Sequence, residues 1–152
     1  MKPVLLVEDN EDDVFFMQRA FKITGITNAL MVTEDGQQAI DYLAGRGKFS
    51  DRAQFPLPCM VLLDLQLPLV QGVDVLKWIR AQFEFQTLLV IVFTSSRVDR
   101  DIDAAYRCGA NSFLVKPPTE EGLREVVQGI KLYWLKLNQS APECGDNTFL
   151  ST

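Results

Sequence analysis

Four short apolar runs end directly in a polar or charged residue, and this feature constrains the fold more than any other. The residues that follow the runs are Glu8, Asp64, Thr94 and Lys116. A carboxylate or an ammonium group is unfavourable to bury without a partner, so these residues are expected where strands emerge from the core. Runs that are apolar throughout are typical of strands in a parallel sheet that helices cover on both faces.

Segments with helical periodicity separate the apolar runs, so predicted strands and helices alternate along the chain. The strands are predicted over residues 3–7, 29–33, 60–64, 88–93 and 112–115. The helices are predicted over residues 11–23, 36–44, 73–82, 99–107 and 119–137. Such βα units with right-handed crossovers predict an α/β, flavodoxin-like three-layer sandwich, with a parallel sheet in the order 2-1-3-4-5.

Length and composition favour one domain and exclude several classes of protein. A chain of 152 residues that is 47% hydrophobic can bury a core. We predict a domain over residues 1–137 and a flexible tail over 138–152, which lacks periodicity. The net charge of −5 argues against nucleic-acid binding. The chain has no histidine, which excludes histidine-based catalysis by its own residues.

The sequence also predicts where the protein works. No apolar stretch is long enough to span a bilayer, so no membrane partner is expected. The first strand begins within a few residues of the N-terminus, which argues against a signal peptide. The cysteines Cys59, Cys108 and Cys144 show no metal-ligand spacing. We interpret them as reduced thiols, which predicts a cytoplasmic protein.

The polar residues are expected to converge, because the carboxyl ends of parallel strands open at one edge of the sheet. Glu8 and Asp9 would meet Asp64 there, and clustered carboxylates need a positive charge among them. Hard oxygen ligands of this kind suit Mg²⁺. A hydroxyl group at Thr94 and an ammonium group at Lys116 are suited to hold the oxygens of a phosphate.

Plainer interpretations remain open for some of these residues. We assign the acidic residues 11–13 to a helix start that the helix dipole favours. Residues 94–96 can be a helix-capping cluster, and Lys116 can be an ordinary solvated lysine. The Lys116-Pro117 bond can also be cis in a tight turn.

In this order, the residues resemble the receiver domain of two-component response regulators. The matching elements, spread over residues 1–137, are Val7-Glu8-Asp9, Asp64 with Pro68 and Gly72, Thr94-Ser95, Cys108-Gly109-Ala110 and Lys116-Pro117. The resemblance implies a protein that takes a phosphoryl group from a sensor histidine kinase. It also implies that the chain is no enzyme, beyond catalysing its own Mg²⁺-dependent phosphorylation and dephosphorylation.

The resemblance assigns the acceptor and the metal ligands. It implies that Asp64 accepts the phosphoryl group and that Glu8 and Asp9 form the acidic pair. It further implies that Asp9, Asp64 and the backbone carbonyl of Gln66 position Mg²⁺. The family more often has Asp at the position of Glu8 and Asn or Met at that of Gln66, which bears on the dephosphorylation rate.

The resemblance also implies a switch and an output. Thr94 becomes the switch hydroxyl, Lys116 the phosphate-binding lysine and Phe113 the aromatic switch residue. No effector domain is expected after the last helix, so the signal is expected to pass through protein contacts. Leu132 and Leu135 lie off the core-facing stripe of that helix, which predicts a homodimer contact.

A narrower resemblance points to the kinase. The insertion at residues 45–58 and the Tyr133-Trp134-Leu135 segment resemble stand-alone regulators that partner phytochrome-type histidine kinases in cyanobacteria. The insertion can equally be an ordinary long loop.

Three rival functions fit less well. A haloacid-dehalogenase phosphatase would carry a second Asp where Gln66 stands. A flavodoxin would need a glycine- and hydroxyl-rich loop in place of residues 8–11. A degenerate receiver that only binds partners would lack some of the residues that are intact here.

Overall fold

The fold is a parallel sheet between two layers of helices. The computed structural model describes residues 1–142. The strands are β1 (Val4–Val7), β2 (Leu30–Thr33), β3 (Met60–Leu63), β4 (Leu89–Thr94) and β5 (Ser112–Val115). The helices are α1 (Glu11–Thr24), α2 (Gly36–Ala44), α3 (Gly72–Ala81), α4 (Asp99–Arg107) and α5 (Glu120–Leu132). The sheet order is β2-β1-β3-β4-β5, which confirms the predicted architecture.

Successive strand residues face opposite layers of the sandwich, which explains why the runs are apolar throughout. In β1, Leu5 and Val7 pack in the core cluster formed with α2 and α3. Val4 and Leu6 pack in the cluster formed with α1 and α5. Each such side chain contributes about 1.5–3 kcal/mol on full burial. Both faces of the sheet are therefore part of the core, and polar side chains are left to its edges.

The strand register brings the first two acidic positions to the same level. Val7 in β1 pairs with Leu63 in β3, and Leu63 pairs with Val92 in β4. Glu8 and Asp64 are the next residues of their strands, so both leave the sheet at one edge. The observed β3 ends at Leu63, one residue before the predicted end, which places Asp64 just outside the strand.

Two glycines allow the loop that follows β3 to pack closely against neighbouring backbone. A Cβ atom on Gly72 would lie 2.2 Å from the carbonyl oxygen of Asp64, and one on Gly36 would lie 2.0 Å from that of Val70. The Gly72 N–H also donates to the carbonyl of Leu65, at 3.0 Å. Because no side chain fits at either position, the loop backbone packs directly on the starts of α2 and α3.

The insertion after α2 is packed onto the core. The rings of Tyr42, Phe49 and Phe55 form a cluster with centroid separations of 5.2, 6.0 and 5.1 Å. The Arg52 guanidinium donates to the carbonyls of Tyr42 and Leu43, each at 2.7 Å. These bonds go to carbonyls in the last turn of α2, where a helix has too few N–H partners of its own; the Tyr42 carbonyl also accepts from the Gly45 N–H. The insertion therefore extends the core through Phe49 and Phe55.

The end of α5 differs from the prediction of one continuous helix to residue 137. A π-helical turn over Tyr133–Leu137 follows the α-helix, and its wider turn changes which side chains face the core. Leu135 packs with Trp134 against the core cluster of α1 and α5. Leu132 is 53% exposed and Leu137 is 60% exposed. The expectation that both predicted interface leucines lie off the core-facing side is therefore wrong for Leu135 and holds for Leu132.

The remaining expectations concern the backbone and the tail. Residues 1–142 contain no cis peptide bond, so the Lys116-Pro117 bond is trans. Within the same range, no helix combines the length and apolarity needed to cross a membrane. The predicted tail over 138–152 lies mostly outside the described residues, as does Cys144, and the domain boundary at residue 137 stays a prediction.

Candidate functional site

Asp64 lies directly after β3 and is 6% exposed. It is at the centre of an acidic cluster of side chains around Lys116, formed by Glu8, Asp13 and Asp64. Its Oδ1 atom accepts hydrogen bonds from the Thr94 hydroxyl at 2.8 Å and from the Gln66 N–H at 3.2 Å. Its Oδ2 atom accepts from the Lys116 ammonium at 2.9 Å. Both oxygens of this buried carboxylate are therefore held in place by donors.

Lys116 contacts four other segments of the chain at this edge of the sheet. Its N–H donates to the Thr94 carbonyl at 2.7 Å, which carries the β4–β5 ladder one step beyond the end of β5. Its Nζ atom lies 2.6 Å from Glu8 Oε2, 2.9 Å from Asp13 Oδ2 and 2.9 Å from Asp64 Oδ2. The side chain is only 12% exposed. The ordinary solvated lysine left open by the sequence is therefore excluded.

Burial and neighbouring charges shift the pKa values of two of these groups. Burial raises the pKa of Glu8 to about 7, the hydrogen bond from Lys116 opposes that shift, and the charge of Asp64 adds to it. Burial alone would lower the pKa of Lys116. Its hydrogen bonds with Glu8, Asp13 and Asp64 outweigh burial and hold that pKa above its ordinary value. Lys116 thus stays charged at neutral pH, whereas Glu8 titrates near neutrality.

Three carboxyl groups offer a site for a divalent cation. One oxygen each from Glu8, Asp9 and Asp64 lies within 4.8 Å of the others. Glu8 and Asp64 are buried, and Asp9 is exposed at the mouth of the cluster. Gln66, whose carbonyl was predicted as a further ligand, is an exposed residue of the loop after Asp64. This set of hard oxygen ligands fits a divalent metal.

The two predicted switch residues lie on neighbouring strands. Thr94 is fully buried at the end of β4, with its hydroxyl on Asp64. Phe113 is half-buried on β5 and packs against a small cluster that contains Leu65 and Ala105. Leu65 is the chain neighbour of Asp64, so a short packed route connects the aromatic ring to the acidic cluster.

Asp13 belongs to the site, although the sequence assigned it to an ordinary helix start. Its N–H donates to the side chain of Asn10, the N-cap of α1, at 3.0 Å. The Asn10 N–H donates in turn to Glu8 Oε1 at 3.1 Å. The first turn of α1 is thus anchored in the cluster, and its third residue reaches Lys116. No sequence signal distinguished Asp13 from Glu11 and Asp12, because the residue of this turn that reaches Lys116 is set by the packing of α1.

Known protein sequences of one family are similar to this chain. A profile described as the response regulator receiver domain matches residues 4–128. FilR2, a probable methanogenesis regulatory protein of Methanothrix harundinacea, is 40% identical over 137 residues, which cover 90% of this chain and 86% of FilR2. Response regulator Rcp1 of Synechocystis sp. is 33% identical over 135 residues, which cover 89% of this chain and 90% of Rcp1.

Solved structures show the same likeness. The Mn²⁺-bound form of Rcp1 has a TM-score of 0.84 at 32% identity, covering 93% of this chain and 100% of that one. The phosphorylated cyanobacterial phytochrome response regulator RcpA has a TM-score of 0.86 at 28% identity, covering 93% and 99%. The chain therefore belongs to the response regulator receiver domain family, whose members work with histidine kinases and accept a phosphoryl group on an aspartate.

Proposed function

We propose that this protein accepts a phosphoryl group on Asp64 from the phosphohistidine of a sensor kinase. The observation that carries the proposal is the Asp64 carboxylate held between the Thr94 hydroxyl and the Lys116 ammonium. An Asp64 oxygen forms a bond to phosphorus while the phosphorus–nitrogen bond breaks, and the electron pair stays on the departing imidazole. Thr94 and Lys116 are placed to donate to the phosphoryl oxygens, where charge must be neutralised.

We propose Mg²⁺ as the metal, bound by Asp9 and Asp64, with the Gln66 carbonyl as a further ligand. Glu8 would reach it mainly through water, because one of its oxygens already contacts Lys116 at 2.6 Å. When bound, the ion would supply positive charge for the phosphoryl oxygens. Asp9→Ala or excess EDTA should therefore block phosphorylation, and Glu8→Ala should weaken it less. Equal Mg²⁺ affinity in Asp9→Ala and the parent protein would contradict this assignment.

The intact mass after incubation with acetyl phosphate and Mg²⁺ tests the acceptor. The parent should gain one phosphoryl group, and Asp64→Asn should gain none. Asp74→Asn is a matched control, because Asp74 is an exposed carboxylate on α3 outside the cluster. Full labelling of the Asp64→Asn protein at one site would show that Asp64 is not the acceptor.

We propose a phytochrome-type kinase as the phosphoryl donor. RcpA supports this, because it is a phytochrome response regulator of the same fold and family. The identity to FilR2 is higher, so a second kinase class belongs in the test. Phosphoryl transfer from a phosphorylated phytochrome-type kinase should be faster than from a sensor kinase without a phytochrome module. Equal or slower transfer would overturn the phytochrome assignment.

We propose that the protein catalyses only its own phosphorylation and dephosphorylation and that it works in the cytoplasm. Its thiols support that compartment, because Cys59 and Cys108 are both free and half-buried. Incubation of the phosphorylated protein with unrelated phosphate esters should release phosphate only at the rate at which Asp64 loses it. A faster, catalytic release would contradict the first part of the proposal.

The proposed output is a contact between two copies through the end of α5, modulated by Thr94 and Phe113. Leu132 carries the contact, since it is 53% exposed, whereas Leu135 packs against the core. A phosphoryl group that draws Thr94 inward would free space for Phe113, biasing an existing equilibrium.

Sedimentation of the parent and of Leu132→Glu, each with and without beryllofluoride, tests this contact. Phe15→Glu is a matched control, because Phe15 is 56% exposed in the first turns of α1, which lie beside the start of α5 and not beside its end. Leu132→Glu should dissociate the dimer, and Phe15→Glu should not. A parent that stays monomeric at tens of micromolar in both states would exclude the homodimer.

A further inference from the structure

We infer that Asp13 is a positioning residue that controls how available Lys116 is to the phosphoryl group. The inference rests on the proposed phosphorylation of Asp64 and adds a residue that the family resemblance did not supply. The juxtaposition behind it is the contact of 2.9 Å between Asp13 Oδ2 and Lys116 Nζ.

The first step concerns the donors of Lys116. An ammonium group has three protons to donate. In the unphosphorylated protein they serve Glu8 at 2.6 Å, Asp13 at 2.9 Å and Asp64 at 2.9 Å. A phosphoryl oxygen can therefore gain a full hydrogen bond from Lys116 only when one of these carboxylates gives up its own.

The second step identifies the carboxylate that yields. Phosphorylation esterifies Asp64, which releases one proton of Lys116, but the phosphoryl group brings three acceptor oxygens and a larger charge in place of the carboxylate. Of the two carboxylates that remain, the Glu8 side chain is 2% exposed and the Asp13 side chain is 40% exposed. A buried carboxylate that loses its cation remains as an unpaired buried charge, which is strongly unfavourable. Water can replace the lysine at Asp13, so Asp13 is the partner that gives up a further proton of Lys116 to the phosphoryl group.

The third step explains why Asp13 is held so close. Its backbone is fixed by the Asn10 cap, and Asn10 is itself bonded to Glu8. The helix need not move when the phosphoryl group arrives, because rotation of the Asp13 side chain is enough to release Lys116. In the unphosphorylated state Asp13 is thus a competing anion that weakens binding of a phosphoryl group at Asp64.

Beryllofluoride affinity at saturating Mg²⁺, measured by fluorine NMR or calorimetry, tests this role. Asp13→Asn should bind beryllofluoride about three- to tenfold more tightly than the parent, the range expected for a partly exposed ion pair. Asp12→Asn is the matched control, because Asp12 is the exposed neighbour in the same helical turn. It removes the same charge without a contact to Lys116 and should change the affinity much less. Asp13→Glu keeps the charge and should restore the parental value.

A Lys116→Ala background separates positioning from general electrostatics. There, Asp13→Asn should no longer strengthen binding more than Asp12→Asn does. The inference is overturned by equal effects of Asp12→Asn and Asp13→Asn in the parent, by weaker binding in Asp13→Asn, or by an effect that persists without Lys116. A parent protein that binds no beryllofluoride and gains no phosphoryl group would overturn the proposed function itself, a result that is distinct from these.

Discussion

Glu8 should make the metal-free protein lose stability as the pH rises toward neutrality. The residue is 2% exposed, and burial is the main cause that raises its pKa from 4.5 to about 7. A group whose pKa is higher in the folded state takes up a proton on folding at pH values between its two pKa values. Its contribution to stability is therefore fully present below the unfolded pKa and is lost as the pH rises through the folded pKa. The chain has no histidine, so no imidazole titrates in this window.

The size of the effect follows from the separation of the two pKa values. The rise from 4.5 to about 7 corresponds to about 3 kcal/mol, at roughly 1.4 kcal/mol for each pKa unit. The free energy of unfolding should fall by about that amount between acidic and mildly alkaline pH. Glu8→Gln has no charge to titrate, so this decrease should be largely absent from the variant.

Urea unfolding followed by circular dichroism in EDTA, at pH values from about 5 to 8, measures the decrease. Glu11→Gln is the matched control, because Glu11 is exposed in the first turn of α1, and it should keep the parental profile. Added Mg²⁺ at about a hundredfold excess over its Kd should restore about 2.7 kcal/mol at the higher pH. Parallel profiles for the parent and Glu8→Gln would show that Glu8 does not cause the decrease.

Two further pairs of variants test the packing by urea unfolding. Gly129→Ala should stabilise the protein by about 1 kcal/mol, because its Cβ would meet nothing within 4 Å and glycine weakens a helix. Gly72→Ala should destabilise the protein by more than about 3 kcal/mol, since its Cβ would lie 2.2 Å from the Asp64 carbonyl oxygen. A loss of stability below that value would contradict the close packing of this loop, because it would show that the loop relaxes. Arg80→Ala should cost about 2–4 kcal/mol, because the half-buried guanidinium donates three hydrogen bonds to neighbouring turns. Arg107 forms an exposed ion pair with Asp103, in which the side chains are 78% and 62% exposed, so Arg107→Ala should change stability by less than about 0.5 kcal/mol. Equal losses of stability for Arg80→Ala and Arg107→Ala would contradict the importance of the Arg80 hydrogen bonds.

Most of the fold could be predicted because its signals are local and periodic. Residues that are apolar on both faces, such as Leu5 and Leu6, can only belong to a covered strand, and the observed strand ends lie within about one residue of the predicted ones. The end of α5 could not be predicted in this way. There a π-helical turn turns Leu135 toward the core and leaves Leu137 exposed, and regular helical spacing cannot anticipate a change of period.

The apolar runs and the residues that end them were enough to predict the sheet, its order and the edge where Glu8, Asp64, Thr94 and Lys116 converge. This was possible because the polar residues directly follow the runs, and the carboxyl ends of parallel strands open at one edge. Which charges share a partner depends on packing in three dimensions. Lys116 meets Asp64 across 52 positions of the chain and Asp13 across 103. No local pattern encodes a contact over such separations, and the choice among the acidic residues of one helical turn depends on how α1 packs against the end of β5.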